Sequence, residues 1–206
     1  MRSKSARERG FSLIELLMVV VIVSVLAATA VIVTVGTSRN TKANNAMDAV
    51  VTALRTGRQL AVGKRRNVLV TFTAPNQIQL ALQPLPGEPP PTPMAPIYLN
   101  DNARGGLQFA VVVPKDVPGG VGNGQAITLV DSTTGGAPFA VMFNSSGTFV
   151  GSIALPSYAT VGNNNPVNGT VFVGLPGYPE TARAITILGS TGRVRTYFWT
   201  GTAWQE

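Results

Sequence analysis

Residues 16–35 constrain the fold of this chain more than any other part of its sequence. These residues include no charged residue, no glycine and no proline. As a helix rising 1.5 Å per residue, they would extend about 30 Å, which matches the hydrocarbon core of a bilayer. Basic residues are concentrated before this run, at Arg2, Lys4, Arg7 and Arg9. The positive-inside rule therefore predicts one membrane span with a cytoplasmic N-terminus and an exported C-terminal region.

Glu15 lies at the edge of this apolar run, where a carboxylate costs about 2.5–3.5 kcal/mol on insertion scales. No lysine or arginine lies within helical reach on the membrane side. Cleavage between Gly10 and Phe11 would create a charged amino group at Phe11, which can pair with Glu15 of a neighbouring copy. The sequence therefore predicts that Glu15 is an assembly determinant.

Two other interpretations of the N-terminus stay open. One is an ordinary membrane anchor, in which Glu15 has no special role. The other is a conventional secretory signal, because Ala28-Thr29-Ala30 forms an A-x-A site after an apolar stretch. Glu15 fits poorly in the apolar region of such a signal.

Beyond the apolar run, the pattern changes to one apolar stripe at helical spacing. Its members are Ala43, Met47, Val50, Leu54 and Ala61. This periodicity predicts that the N-terminal helix continues to about residue 65 and packs one face on a globular head.

From residue 67 onward, short β-branched and aromatic runs alternate with turn-rich stretches. Seven prolines between residues 84 and 96 predict an extended, exposed loop. The sequence thus predicts an α+β fold, with a long helix packed on an antiparallel β-sheet or sandwich. The predicted strands are 68–73, 77–82, 107–113, 126–130, 139–143, 148–153, 170–173, 184–188 and 194–200.

The residue types present exclude most catalytic chemistry. The chain has no histidine and no cysteine, so Ser-His-Asp and Cys-His arrangements and the usual zinc sites cannot form. The carboxylates beyond residue 67 are scattered, without a close pair. We therefore expect no enzyme activity, no cofactor and no metal.

The net charge of +7 is unevenly distributed along the chain. From residue 67 onward there are only 5 basic residues against 6 acidic ones. Nucleic-acid binding by the head would therefore need a local patch.

The stretch Arg9-Gly10-Phe11-Ser12-Leu13-Ile14-Glu15-Leu16-Leu17 resembles the prepilin signal of type IV pilins and type II secretion pseudopilins. The resemblance implies that a membrane prepilin peptidase cuts after Gly10 and N-methylates Phe11, and that Glu15 docks this amine during assembly. It divides the chain into a leader (1–10), a transmembrane and assembly helix (11–35), an amphipathic helix (36–66) and a β-rich head (67–206).

Three further stretches are similar in order and spacing to GspH/FimT minor pilins. They are residues 54–70, Phe143 to Gly147, and Gly192-Arg193-Val194-Arg195. This resemblance implies a minor pseudopilin near the tip of a type II secretion pseudopilus, rooted in the inner membrane with a periplasmic head. The implied partners are other pseudopilins, an inner-membrane platform protein and a cytosolic ATPase.

The same resemblance implies an alternative role as a FimT-like minor pilin of a type IV pilus that binds DNA in natural transformation. Strand alternation puts Arg193, Arg195, Tyr197 and Trp199 on one face, where guanidinium groups contact phosphates and rings stack on bases. Lys64-Arg65-Arg66 would extend this patch or mark the exposed end of the helix. If the face is only a solvated surface, we expect Phe198 to point into the core.

Overall fold

The computed structural model describes residues 12–84, 88–89, 93–99, 106–121, 124–133, 135, 140–152 and 165–206, and for residues 28–37, 140 and 152 the backbone alone. The chain forms two compact units, Met1–Arg39 and Asn40–Glu206. The first contains the start of helix α1, and the second contains the rest of the helix and all the strands. We refer to the second unit as the head.

Helix α1 extends from Leu13 to Lys64. At its start, the carbonyl oxygen of Ser12 accepts hydrogen bonds from the backbone N–H groups of Glu15 and Leu16. At its end, Arg65 adopts a left-handed conformation with φ of 53°, and the N–H of Arg66 bonds to the carbonyl of Ala61. This geometry is a Schellman C-cap, which ends the helix where the sequence predicted.

The predicted membrane span, residues 16–35, includes the residues of which only the backbone is described. In the described part of the chain, no helix meets the length and hydropathy that a membrane crossing requires.

Within the described residues, eleven strands form two sheets, and every pairing between these strands is antiparallel. The strands are β1 Val68–Thr73, β2 Gln77–Leu82, β3 Ile97–Tyr98, β4 Gln108–Phe109, β5 Ile127–Asp131, β6 Ala140–Phe143, β7 Phe149–Ser152, β8 Val167–Gly174, β9 Arg183–Leu188, β10 Arg193–Trp199 and β11 Trp204–Gln205. The first sheet has the order β3-β2-β1-β6-β7 and the second β11-β10-β9-β8-β4, with β5 also paired to β8.

The main core of the head joins the apolar stripe of α1 to both sheets. Ala43, Val50, Leu54 and Ala61 are fully buried, as the helical spacing predicted, and Met47 packs at the edge of the cluster. They share this cluster with Phe143 and Phe149 of the first sheet and with Val171, Ile185 and Ile187 of the second. The α+β fold class is therefore confirmed.

A smaller core covers part of the other face of the second sheet. Its buried members are Val117, Phe172, Ala182, Ala184, Tyr197 and Trp204. The partly buried side chains of Val111, Val112 and Val113 pack against it. One end of the second sheet is thus covered on both faces.

The prediction of a strand at 107–113 is wrong for most of that range, since only Gln108–Phe109 forms a strand. After Ala110 the chain leaves β8, and its three valines contact the smaller core as a loop. Gly174 permits this approach, because a Cβ there would lie 2.5 Å from a methyl group of Val112.

Candidate functional site

The described start of α1 exposes an unusual amount of apolar surface. Twelve large apolar side chains between Leu13 and Leu26 are each at least 52% exposed. The one hydroxyl among them is satisfied locally, because Ser24 Oγ donates to the carbonyl of Val20 at 2.7 Å. A contiguous apolar surface of this kind requires lipid or protein against it.

Glu15 lies in the first turn of α1 and is exposed. Ser12 occupies the N-cap and Glu15 follows at the third helical position, which is the spacing of a capping box. A carboxylate here also interacts favourably with the positive end of the helix dipole. The position of Glu15 therefore favours the start of the helix, whether or not the predicted role in assembly holds. Gly10 and Phe11 lie outside the described residues, so cleavage and methylation there stay predictions.

The three stretches that resemble GspH/FimT proteins meet at one point in the head. Arg58 of α1 donates from Nε to the carbonyl oxygen of Gly147 at 3.0 Å. Gly192 packs against the same carbonyl: a Cβ at Gly192 would lie 2.3 Å from that oxygen, and φ there is +63°. The glycine of the G-R-x-R pattern is therefore required for packing.

Arg193 and Arg195 are both exposed on β10, as the alternation predicted. The side chain of Arg195 lies 3.8 Å from a carboxylate oxygen of Glu206. A hydrogen bond with Tyr197 and, to a smaller extent, the charge of Glu206 raise the pKa of Arg195. Arg195 therefore already has polar partners, and any other anion would compete with them.

Tyr197 lies on the same strand face as the two arginines, but it is only 4% exposed. The smaller core covers that end of the face, so a base cannot stack on this ring. The prediction that Tyr197 serves as a stacking residue is therefore wrong. The expectation that Phe198 points into the core is also wrong, because Phe198 is 41% exposed.

Trp199 is held on two sides. Its ring lies edge-on to that of Trp204, with centroids 5.4 Å apart, and Lys115 Nζ lies 5.4 Å from its centroid. Lys115 is tied down in turn by a hydrogen bond to the carbonyl of Thr202. Stacking of a base on Trp199 would have to displace one of these neighbours.

Sequence reasoning missed Arg58, which adds a third guanidinium group beside the turn between β9 and β10. Its signals were its position off the apolar stripe and its place within residues 54–70, one of the stretches similar to GspH/FimT proteins. The Lys64-Arg65-Arg66 cluster is part of the helix end instead: Arg65 forms the C-cap, and Arg66 pairs with Glu88 and donates to the carbonyl of Gln83.

A family described as the prokaryotic N-terminal methylation motif matches residues 5–31. This match includes Glu15, the predicted cleavage position and most of the apolar run. The N-terminus of this chain carries a prepilin-type methylation motif. The long helix α1 begins within the matched residues and is followed by antiparallel sheets.

Among solved structures, this chain is similar to the type IV minor pilin FimU of Pseudomonas aeruginosa. The two chains share 15% identity, with a TM-score of 0.42, over 82% of this chain and 96% of that one. No curated protein matches the chain in sequence.

Proposed function

We propose that the protein is a minor pseudopilin of a type II secretion system, which assembles non-covalently into a periplasmic pseudopilus. This proposal rests on the exposed apolar surface of α1, whose residues lie within the stretch matched by the prepilin-type methylation motif. In the inner membrane this surface would contact lipid. In a filament it would contact the equivalent helices of neighbouring subunits.

In this proposal a prepilin peptidase cuts after Gly10 and methylates Phe11. The new amine of one subunit then pairs with Glu15 of the next, which offsets the cost of a carboxylate at membrane depth. Before assembly the subunit spans the inner membrane once, with its N-terminus in the cytoplasm. An inner-membrane platform protein and a cytosolic ATPase supply the work of extraction.

Two features of the β-rich part of the head favour secretion over DNA uptake. From residue 67 onward the chain has 5 basic residues against 6 acidic ones, so this part contributes little long-range attraction to DNA. The stacking surface proposed for bases is also reduced, because Tyr197 is buried and Trp199 is held by its neighbours.

The second candidate is a FimT-like minor pilin of a type IV pilus that binds DNA. The observation in its favour is that exposed Arg58, Arg193 and Arg195 lie at or near the β9–β10 turn. Together they would contact phosphates without stacking, giving weak and salt-sensitive binding.

Deletion of the gene in its native host separates these functions. A strain lacking the protein should retain its exoproteins in the periplasm and keep normal DNA uptake, and the plasmid-borne gene should restore secretion. Loss of transformation with normal secretion would instead establish the second candidate. Normal results in both assays would reject both roles.

A further inference from the structure

A cleft of about 550 Å³ opens in the head beside the start of its helical part. Its walls come from α1, from the turn before β9 and from the end of β10. The lining residues are Asn40, Asn44, Pro179, Glu180, Arg183, Phe198, Trp199, Thr200 and Gly201. The lining of the cleft shares only Trp199 with the candidate DNA-binding face.

Arg183 forms the floor of the cleft and is only 5% exposed. Its Nη1 donates to the carbonyls of Glu180 and Ala182 at 3.0 and 2.9 Å, and its Nε donates to Asn44 Oδ1 at 2.9 Å. These bonds use the donors on Nη1 and Nε. Nη2 makes one long contact, 3.5 Å to Asn40 Oδ1, so it retains donor capacity.

The charge of this guanidinium is not neutralised by an ion pair within the described residues, since all four acceptors are uncharged oxygens. Burial lowers the pKa of Arg183, because desolvation disfavours the charged form. A buried cation of this kind gains more from an anion than an exposed arginine does.

The two asparagines add further donors to the same end of the cleft. Asn40 and Asn44 both present Oδ1 to Arg183, so the Nδ2 amino group of each is directed away from the guanidinium. This end of the cleft therefore offers N–H donors from three side chains. Exposed Phe198, the cross-strand partner of Arg183, and partly buried Trp199 add apolar surface to the cleft.

We propose that this cleft binds a carboxylate attached to an apolar group. The carboxylate accepts hydrogen bonds from Arg183 Nη2 and the asparagine amides, and the apolar part contacts Phe198 and Trp199. Glu180 at the rim disfavours ligands with a second negative charge. Such a carboxylate can belong to a small molecule or to an acidic residue of a neighbouring filament subunit.

The first test uses the purified full-length protein in detergent and two probes of nearly equal shape, phenylacetate and its neutral isostere phenylacetamide. Binding is followed by tryptophan fluorescence, since Trp199 lines the cleft, and by titration calorimetry. We expect phenylacetate to bind at least about tenfold more tightly, the usual order for a hydrogen bond that becomes charge-assisted. Equal affinity for the two probes, or no binding of either, would overturn the proposal.

Asn44→Asp is the informative variant, because it places a carboxylate beside Arg183 without a change of shape. It should lower phenylacetate affinity at least about tenfold and leave the thermal unfolding midpoint unchanged or higher. Arg183→Gln should also lose binding, but it can destabilise the head. Arg55→Gln, which removes an exposed arginine elsewhere on α1, is the matched control and should bind normally. Unchanged binding in Asn44→Asp would place the probe outside this cleft and reject the proposal.

A photo-reactive amino acid at position 198, in the full chain in cells, distinguishes the two sources. A crosslink to a peptide of another pilin subunit, lost in the Asn44→Asp background, identifies an acidic residue of that subunit as the ligand. Phenylacetate binding without such a crosslink identifies a small carboxylate. The probe titration does not depend on filament formation, so it can succeed even if the proposed secretion role fails.

Discussion

Arg58 Nε and the carbonyl oxygen of Gly147 form a hydrogen bond of 3.0 Å that joins helix α1 to the turn between β6 and β7. The turn itself is held by Asn144, whose side-chain oxygen accepts bonds from the N–H groups of Ser146 and Thr148. Gly192 packs on the same carbonyl from the second sheet. The helix and both sheets therefore depend on one another at this point.

Substitution of Gly192 by alanine should destabilise the head. The added Cβ would lie 2.3 Å from the Gly147 oxygen, and the backbone has φ of +63°. We expect the free energy of unfolding to fall by about 1–3 kcal/mol, measured by chemical denaturation. Gly63→Ala is the matched control: nothing lies within 4 Å of its Cβ position in α1, so stability should be unchanged or rise by up to about 1 kcal/mol. Equal changes in unfolding free energy for Gly192→Ala and Gly63→Ala would contradict the close packing of Gly192 on the Gly147 carbonyl.

Tyr197 and Phe198 should differ strongly in their contribution to stability. Tyr197→Ala removes a 4% exposed ring from the smaller core and should cost about 3–5 kcal/mol. Phe198→Ala removes a ring that is 41% exposed and should cost less than half as much. Thermal or denaturant unfolding of the two variants measures this difference. A larger loss of unfolding free energy in Phe198→Ala than in Tyr197→Ala would show that Phe198, and not Tyr197, is on the buried face of β10.

The mature chain should begin at Phe11 with an N-methylated amine. Gly10 supplies the small residue before the cut, and the apolar run follows the cut instead of preceding it. Intact-mass analysis of the protein purified from its native membrane measures both changes. A chain that starts after Ala30, or one that keeps residues 2–10, would disprove the prediction.

Glu15→Ala should leave processing and membrane insertion intact but strongly reduce entry into filaments. The substitution removes a costly charge from membrane depth and also the proposed partner of the Phe11 amine. Immunoblots of sheared filaments and of membranes measure the two pools. Asp48→Ala, at an exposed acid of α1 within the head, should assemble normally. Normal incorporation of Glu15→Ala would disprove the proposed role of this carboxylate in assembly.

The DNA-binding alternative predicts that the full-length protein in detergent shifts duplex DNA at low salt, with affinity falling steeply as salt rises. The double substitution Arg193→Gln and Arg195→Gln should abolish the shift without unfolding the head, because both side chains are exposed. The control is Lys42→Gln with Arg55→Gln, which removes two exposed charges elsewhere. Absence of a shift would eliminate this role. A shift that survives the double substitution would locate the site elsewhere on the protein.

The features of the fold that depend on local pattern were predictable from the sequence. The stripe of α1 and strands β1 and β2 have the predicted positions, since helical spacing and β-rich runs next to turns are local signals. The two-residue strands Ile97–Tyr98 and Trp204–Gln205 were not predicted. Each depends on pairing with a strand that is already in place, and so short a run has no periodicity of its own.

The candidate sites were less predictable, because they depend on contacts between distant parts of the chain. Alternation correctly put Arg193 and Tyr197 on one face, but it could not show that the smaller core covers only one end of that face. Nor could the sequence show that Arg183 is buried against Asn44. A charged residue is buried only when distant elements supply its hydrogen-bond partners, and the local sequence does not show which elements those are.

The hydrogen bond between Asn44 and Arg183 spans 139 positions of the chain. In a chain made from its N-terminus, Asn44 is synthesised long before the strand that will contain Arg183. Domains dominated by such distant pairings fold slowly, in milliseconds to seconds, because chain entropy must be lost before the contacts form. The helical stripe therefore stays uncovered until the strands that bury it have been synthesised, and a chaperone that shields Ala43 to Ala61 would protect the chain during that interval.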